Sequence, residues 1–309
     1  MILFAGIPSE PPLALAIQAA DRHRLPYAVF NQRHTRYCDL CIESVAGKLA
    51  GNIWLDEKCW SLTDFTGVYA RTVDPRSLPE HRPRRGASTN PYDLRRSIFL
   101  NEAFGDWLEV SPGSVANRPS AMCSNNSKPY QTQLIRRYGF LIPATLITND
   151  PLLVQQFRTQ HGRIVYKSIS SMRSIVSEWI PGRSPGLEKL RYLPTQFQAL
   201  VPGKNIRVHV AGDAVFATEI ISDALDYRYA GRDGLAITMR RISLPPEVEE
   251  KCLSLTLALG LVFSGIDLKH TPDDRWYCFE VNTSPGYSYF QEQSGQKIAD
   301  ALVTFLSKE

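Results

Sequence analysis

The stretch that most restricts what this chain can fold into runs from Gly265 to Gly286, GIDLKHTPDDRWYCFEVNTSPG. Two β-like runs flank a polar turn, Thr271-Pro272-Asp273-Asp274, which predicts a hairpin. Side chains alternate faces along a strand, so Tyr277, Phe279 and Val281 are expected to face the core, with Glu280 and Asn282 on the opposite face. In the first run Asp267 points the other way between Ile266 and Leu268. If the turn is centred between Asp273 and Asp274, Asp267 lies across the ladder from Glu280; a bulge shifts that by one residue. Asp267, Glu280 and Asn282 then project three oxygen donors from one rigid face. A hard cation such as Mg²⁺ suits that set, since it takes one or two carboxylates plus substrate phosphates. A solvent-facing hairpin shows the same alternation, so the rest of the chain has to decide.

A chain of 309 residues has room for two or three domains. Its 43% hydrophobic and 21% charged residues fit an ordinary soluble globular protein. The longest apolar runs fall far short of a membrane span, and Met1–Ala5 begins like a buried strand without a basic leader region, so a cytoplasmic location is expected. Six cysteines do not make a disulfide framework in a chain of this length, and Cys38-Asp-Leu-Cys41 lacks the second pair that a zinc site needs. The net charge of +4 suits an anionic small molecule or an acidic peptide and is too small to argue for nucleic acid.

In chain order, Met1–Ala5 reads as a strand, Pro11-Pro12 opens a helix to about Asp21, and Tyr27–Phe30, Leu49–Leu55 and Gly67–Arg71 read as strands. With a helix over Pro91–Glu109, they predict a small α/β layer over residues 1 to about 115. Within it, residues 81 to 96, HRPRRGASTNPYDLRR, read either as a basic loop gripping an acidic substrate or as a solvated surface loop. Arg71 ends its strand and reads either as a cleft residue reaching substrate or as a structural salt bridge. Lys128 opens a helix that stops at Gly139, an awkward place for a cation unless it holds a phosphate there; a solvated lysine is the other reading. Ala144–Thr148 is a strand, Asn149-Asp150-Pro151 starts a helix to about His161, and Arg163–Lys167 is a strand ending in lysine before the polar loop SISSMRS. From Pro194 the chain is β-rich, with strands in PTQFQALVPG, NIRVHVAG and DAVFATEI; Arg207 alternates with Ile206 and Val208 and so faces away from the core. Helices over Glu247–Leu259 and Ser294–Leu306 bracket the hairpin.

The order of these parts resembles the ATP-grasp superfamily, on its glutathione-synthetase-like and RimK-type ligase branch: two separated lysines, a short apolar run after Gln, a strand arginine, then Asp and Glu-x-Asn. The resemblance covers about residues 115 to 306 and extends loosely over the N-terminal layer. It implies an α/β (α+β) ATP-grasp fold: a pre-ATP-grasp domain over 1–115, a central subdomain over 116–196 and a C-terminal subdomain over 197–309. Carried over residue by residue, Lys128 and Lys167 would contact nucleotide phosphates, and Phe197-Gln198-Ala199-Leu200-Val201 would be the hinge whose backbone at Ala199–Val201 bonds adenine. Arg207 would reach the γ-phosphate, and Asp267, Glu280 and Asn282 would hold Mg²⁺. The chain departs from the family in having SISSMRS where a Gly-rich flap is usual, which passes part of that work to serine hydroxyls and Arg173. It also has Asn205 two before the strand arginine, where an acid is usual, and a distinct TSPGYSYFQEQSG after Glu-x-Asn.

The resemblance implies an ATP-dependent carboxylate–amine ligase: a carboxylic acid attacks the γ-phosphate to give an acylphosphate, an amine displaces phosphate, and ADP and phosphate leave. Concentrated positive charge from Lys128, Lys167, Arg207 and Mg²⁺ fits that chemistry. Arg228, flanked by Tyr227 and Tyr229, is the candidate for binding the carboxylate or the phosphoryl group; a surface ion pair with Asp226 or Asp223 is the other reading. Arg71 and Tyr229 complete the expected substrate contacts. The expected partners are an amino acid or peptide acid and an amine, with neither nucleic acid nor membrane, and a homodimer left open. A second reading is an enzyme joining side chains within a ribosomal peptide. A third is a regulator that binds ATP without turnover, against which the complete set of charged positions speaks.

Overall fold

The computed structural model describes residues 1–81, 91–168, 176–184, 186–224, 227 and 234–308. Arg173, Arg228, Tyr229 and most of the basic 81–96 segment lie outside the described residues. Strand β1 (Ile2–Gly6) is buried along its whole length, as a continuous apolar run bounded by turn residues should be. Helix α1 (Pro11–Arg22) opens on its proline pair and buries Leu13, Ala16, Ala19 and Ala20. Next come β2 (Tyr27–Asn31), β3 (Cys38–Val45), β4 (Lys48–Leu55), β5 (Lys58–Ser61), β6 (Gly67–Ala70), α2 (Pro91–Val110) and β7 (Ser114–Ala116). The parallel sheet runs β2-β1-β6-β7.

The strand expected over Leu49–Leu55 is real but belongs elsewhere. It is the middle of a separate antiparallel sheet, β3-β4-β5, whose outer strands the sequence did not suggest. Cys38 is buried on β3 and Cys41 is free, so the CxxC pair falls on a strand, where residues three apart point to opposite faces.

After the short helix α3 (Pro119–Met122) and α4 (Lys128–Arg137), a four-stranded antiparallel sheet, β10-β9-β11-β8, is built from β8 (Thr145–Thr148), β9 (Ile164–Ser168), β10 (Ser177–Glu178) and β11 (Thr195–Ala199). Helix α5 (Pro151–His161), capped by the Asp150 carboxylate, closes its core with Val154 against Ile164, Leu190 and Phe197.

The third large unit is a five-stranded antiparallel sheet, β14-β13-β12-β15-β16, made by β12 (Lys204–Ala211), β13 (Ala214–Ile221), β14 (Thr238–Ile242), β15 (Phe263–His270) and β16 (Trp276–Asn282). Helix α6 (Pro246–Ala258) covers one face: Val248, Cys252 and Leu255 pack on Val208, Val210, Ile266 and Val281, joined by Ile135 of α4. The other face is divided. At one end Ala211 and Phe263 join the core formed by α1, β1 and α8 (Ile298–Leu306). At the other end, the same alternation brings up Arg207 and Asp267. The closing helix expected over Ser294–Leu306 is α8, which begins only at Ile298, and a further helix that was not expected, α7 (Ser288–Ser294), precedes it. Gly295, at φ 68°, ends α7 in the left-handed region that glycine enters without strain.

The hairpin forms with a correction to its register. Its turn is centred on Asp273, since His270 pairs with Trp276 and Leu268 with Cys278. A β-bulge between Asp267 and Leu268 then absorbs one extra residue and sets Asp267 opposite Glu280. The bulge also moves the buried position from Phe279 to Cys278, so Cys278 and Val281 are the core residues, while Tyr277 and Phe279 are only half-buried.

Asn117, just after β7, ties the units together. Its buried amide donates to the carbonyls of Phe263 and Thr283 at 2.6 and 2.7 Å, and its oxygen accepts from Val262 and Phe263 N–H at 2.8 and 3.0 Å. No described helix is long and apolar enough to cross a membrane. Since Asn117→Ala would leave several buried backbone groups without partners, it is expected to cost about 3 kcal/mol of unfolding free energy. Denaturant midpoints at constant slope would measure this, and a loss below about 1 kcal/mol would show that the seam is held by packing alone.

Candidate active site

Antiparallel pairing sets side chains of facing residues side by side on one face. Arg207 on β12 faces Asp267 on β15, and Asp267 faces Glu280 on β16. One step along the same face, His209 faces Gly265 and Gly265 faces Asn282. The expected donors therefore lie in two adjacent rows over three neighbouring strands. Asp267, Glu280, Asn282 and Arg207 form the polar floor of a cavity of about 480 Å³; Tyr227, Ile237, Tyr289 and Phe290 line the rest of it with Gly286.

Arg207 is on the face opposite the α6 core, as its alternation implied, yet it is buried rather than facing solvent. Helix α7 covers it, with the guanidinium carbon 5.6 Å from the centre of the Phe290 ring. Its Nη1 donates to Asp267 Oδ1 at 2.7 Å, while Nε has no partner among the described residues. Burial works against the charge of Arg207, but Asp267, Tyr227 and Glu280 outweigh it and raise its pKa. The gap over Gly265 makes this geometry possible: a Cβ there would stand 2.6 Å from Arg207 Nη2 and 2.7 Å from Pro285 Cβ.

Glu280 receives the first lysine. Lys128 Nζ lies 3.0 Å from Glu280 Oε2 and donates to Asn125 Oδ1 at 2.9 Å, at the start of α4, where Ser127 caps the helix through the Tyr130 N–H. Burial pushes the Glu280 carboxyl up, but Lys128, Lys167 and Arg207 together pull it below the ordinary glutamate range. Lys167, on β9 opposite Gln196, thus acts on the floor from the neighbouring sheet. Three cations converge on one carboxylate.

Two carboxylates and a carboxamide on one cavity floor are an oxygen donor set suited to Mg²⁺. Among the described residues there is no cluster of three His, Cys, Asp or Glu that could hold a metal; on this floor the carboxamide of Asn282 is the oxygen donor that stands beside the two carboxylates.

At the expected hinge, two of the three backbone donors are engaged. Ala199 N–H donates to Ala144 O and Leu200 N–H to Arg163 O, each at 2.9 Å, while no bond from Val201 N–H forms among the described residues. The Gln198 side chain donates to Thr145 Oγ1 at 3.0 Å. Arg71 does not extend freely toward the cavity. Its Nε and Nη2 grip both oxygens of Glu10 at 2.7 and 2.6 Å, and Nη1 contacts Ser284 Oγ and Pro285 O at 3.2 and 3.0 Å.

His209 was missed by sequence reasoning, although its position two residues after Arg207 places it on the same face. It is fully buried between Phe263 and Phe290, and burial first, then Arg207, holds its pKa well below the ordinary histidine value. It is therefore a neutral filler beneath the guanidinium.

A family model for the RimK-like ATP-grasp domain matches residues 130–306. The chain is similar to a probable α-L-glutamate ligase 2 of Shewanella frigidimarina, with 25% identity covering 73% of this chain and 76% of that one. A probable α-L-glutamate ligase of Sodalis glossinidius is 28% identical, covering 68% and 74%. Among solved structures, the macrocyclase MdnC of Microcystis aeruginosa bound with its precursor peptide MdnA superposes with a TM-score of 0.78 at 22% identity, covering 100% of this chain and 99% of that one. A Chryseobacterium gregarium RiPP-associated ATP-grasp ligase in complex with ADP and a leader and core peptide gives 0.76 at 21%, covering 99% and 96%. Fold and site thus define an ATP-grasp enzyme, of the class of ATP-dependent ligases. Within that class, the chain belongs to the RimK-like ATP-grasp family.

The low pKa of Glu280 has a pH consequence. A carboxyl held lower in the folded than in the unfolded chain adds stability above its unfolded value, roughly 4.3, and loses it as pH falls through the folded value. Replacing Lys128 with Met removes the nearest cation, so the Glu280 titration should move upward and this acid-side loss should begin at higher pH. Carboxyl ¹³C NMR would follow it, and an unchanged midpoint would show that Lys128 does not hold the carboxylate.

Proposed function

We propose that the chain is an ATP-dependent carboxylate–amine ligase that works through an acylphosphate and releases ADP and phosphate. The observation that carries this reading is the Asp267–Glu280–Asn282 face of one cavity, with Arg207 paired to Asp267, Lys128 paired to Glu280, and Lys167 acting on the Glu280 charge from the neighbouring sheet. Joining a carboxylate to a nucleotide phosphate brings like charges together, and such a floor offsets their repulsion. Lys128 and Lys167 would hold phosphate oxygens, Arg207 would face the transferring phosphoryl group, and the Asp267, Glu280 and Asn282 oxygens would hold Mg²⁺. When bound, that ion would neutralise charge on the phosphates. Val201 N–H is the hinge donor left for adenine, flanked by Gln198, Ala199 and Leu200. The β8–β11 sheet, which carries Lys167, would act as the lid that keeps water from the acylphosphate.

The organisation that goes with this reading has three parts: a pre-ATP-grasp layer over 1–115, a central subdomain over 116–196 and a C-terminal subdomain over 197–309. Helix α4, though within the central range, packs on the five-stranded sheet and so delivers Lys128 to its floor. Arg173, Arg228 and Tyr229 remain candidates for flap and substrate contacts.

A peptide as the carboxylate partner is the second reading. It is favoured by likeness over nearly the whole chain to ligases solved in complex with a precursor peptide or with a leader and core peptide.

Acid-dependent ADP release with hydroxylamine present tests the proposal. A ligase should release ADP only when its acid is supplied and should yield a hydroxamate at the expense of the amide. Glu280→Gln, close to isosteric, should lower turnover by a hundredfold or more, of the order expected for loss of a transition-state charge contact. Lys167→Met should weaken ATP binding roughly ten- to a hundredfold. A stable phosphoester in place of the hydroxamate would overturn the ligase reading.

A further inference from the structure

We propose that Glu10 and Arg71, both in the N-terminal layer, are positioning residues that fix the Asn282 oxygen through the Ser284–Pro285 turn. The inference rests on the reading of Asn282 as a donor to the metal–nucleotide, and adds residues that the motif order of the family does not include.

The connection can be followed atom by atom. Asn282 closes β16, and its Oδ1 accepts the Ser284 N–H at 3.0 Å. Only the oxygen of a carboxamide accepts, so this bond decides which end of the amide occupies that position, and a second lone pair of the same oxygen remains for a cation. Ser284 is held in turn by Arg71, whose Nη1 donates to Ser284 Oγ at 3.2 Å and to Pro285 O at 3.0 Å. Arg71 is itself fixed by the two-pronged grip of Glu10, at 2.7 and 2.6 Å, and it also lies 3.5 Å from Tyr69 OH. A fork that donates two parallel bonds to one carboxylate has a set orientation, which a lysine cannot reproduce.

The two ends of the turn are pinned to the same side of the molecule. Thr283 O accepts from Asn117 Nδ2 at 2.7 Å, and the buried Tyr287 donates its hydroxyl to Pro12 O at 2.6 Å, next to Glu10. Thr283, Ser284, Pro285 and Tyr287, between the donor strand and α7, thus each bond to a residue from the first 117 positions. Burial of Arg71 opposes its charge, but Glu10 and Tyr69 together more than compensate, so the fork stays charged at any working pH. All three guanidinium nitrogens are engaged within the protein, so in this proposal Arg71 serves the cavity through the turn.

The test uses the full-length protein with Arg71→Lys and, as a gentler change, Glu10→Gln. Hydrogen exchange of the Ser284 amide in the protein alone reads the turn directly, without any turnover. Both variants should speed it about tenfold, the change expected for losing one charge-assisted bond, while exchange along Lys204–Ala211 stays as in wild type. In ADP titrations, the Mg²⁺ concentration needed for half-maximal tightening of ADP binding should rise about tenfold, with metal-free ADP affinity unchanged. Wild-type Ser284 exchange in both variants would overturn the proposal, as would faster exchange spread evenly over the fold. Faster Ser284 exchange with an unaltered Mg²⁺ requirement would also overturn it, by showing that the turn does not set the Asn282 donor. If wild type itself showed no Mg²⁺-dependent ADP binding, the proposed function would fail, and this inference would fall with it through its Asn282 step. The exchange data would still show whether the clamp exists.

Discussion

A charged guanidinium buried between a sheet and a helix is costly unless its partners are in place, and Arg207 is the group around which this site is arranged. Its partner Asp267 stands on the neighbouring strand at the facing position, so the pair is made by strand register and needs no loop to form it. The empty side of Gly265 lets the guanidinium lie across the sheet, and the Phe290 ring closes over it. An ion pair with one guanidinium nitrogen unpartnered is a poor device for stability alone, because the cost of taking two charges out of water is repaid only when every donor is satisfied. Its arrangement makes better sense as a charge held ready for an anion in the cavity.

The rest of the fold explains how such a charge is tolerated. One face of the β12–β15 pair begins as apolar core, with Ala211 and Phe263 against α1 and α8, and becomes polar within two alternations. His209 lies at the transition and stays neutral, so the boundary carries no second charge beside Arg207. The opposite face, apart from one buried hydroxyl pair of Ser264 with Thr256, is apolar against α6, which keeps the strands from sliding: a one-residue slip would put Ile206, Val208 and Ile266 into the cavity and the charges into the core. Register, and with it the site, is thereby secured by hydrophobic packing behind the sheet.

Much of this was legible in the sequence because a strand has the simplest periodicity. The alternation in NIRVHV and GIDLKH, and the Glu-x-Asn at the end of the hairpin, named the floor residues and their common face. What was not legible depended on tertiary detail. The bulge at Asp267 exchanged Phe279 for Cys278 in the core, and no local pattern marks a bulge whose effect on pairing is cancelled by the position of the turn. The β3-β4-β5 sheet escaped notice because its strands are largely exposed and its charged and polar residues blur the alternation. Burial of Arg207 follows from α7, a helix of only seven residues, Ser288–Ser294, which the sequence reading did not include. The role of Arg71 depended on Glu10 and Ser284, which are 61 and 213 residues away and so beyond any motif.

The central claim is that the Asp267–Glu280–Asn282 face receives a metal–nucleotide, with the three cations around it directed at its phosphates. A crystal structure with Mg²⁺ and ADP tests this most directly. Mg²⁺ is expected about 2.1 Å from oxygens of Asp267, Glu280 and Asn282, with Lys128 and Lys167 on phosphate oxygens and adenine beside Val201. ADP bound away from this cavity, with the Lys128–Glu280 and Arg207–Asp267 pairs unaltered and no metal on the three oxygens, would contradict it.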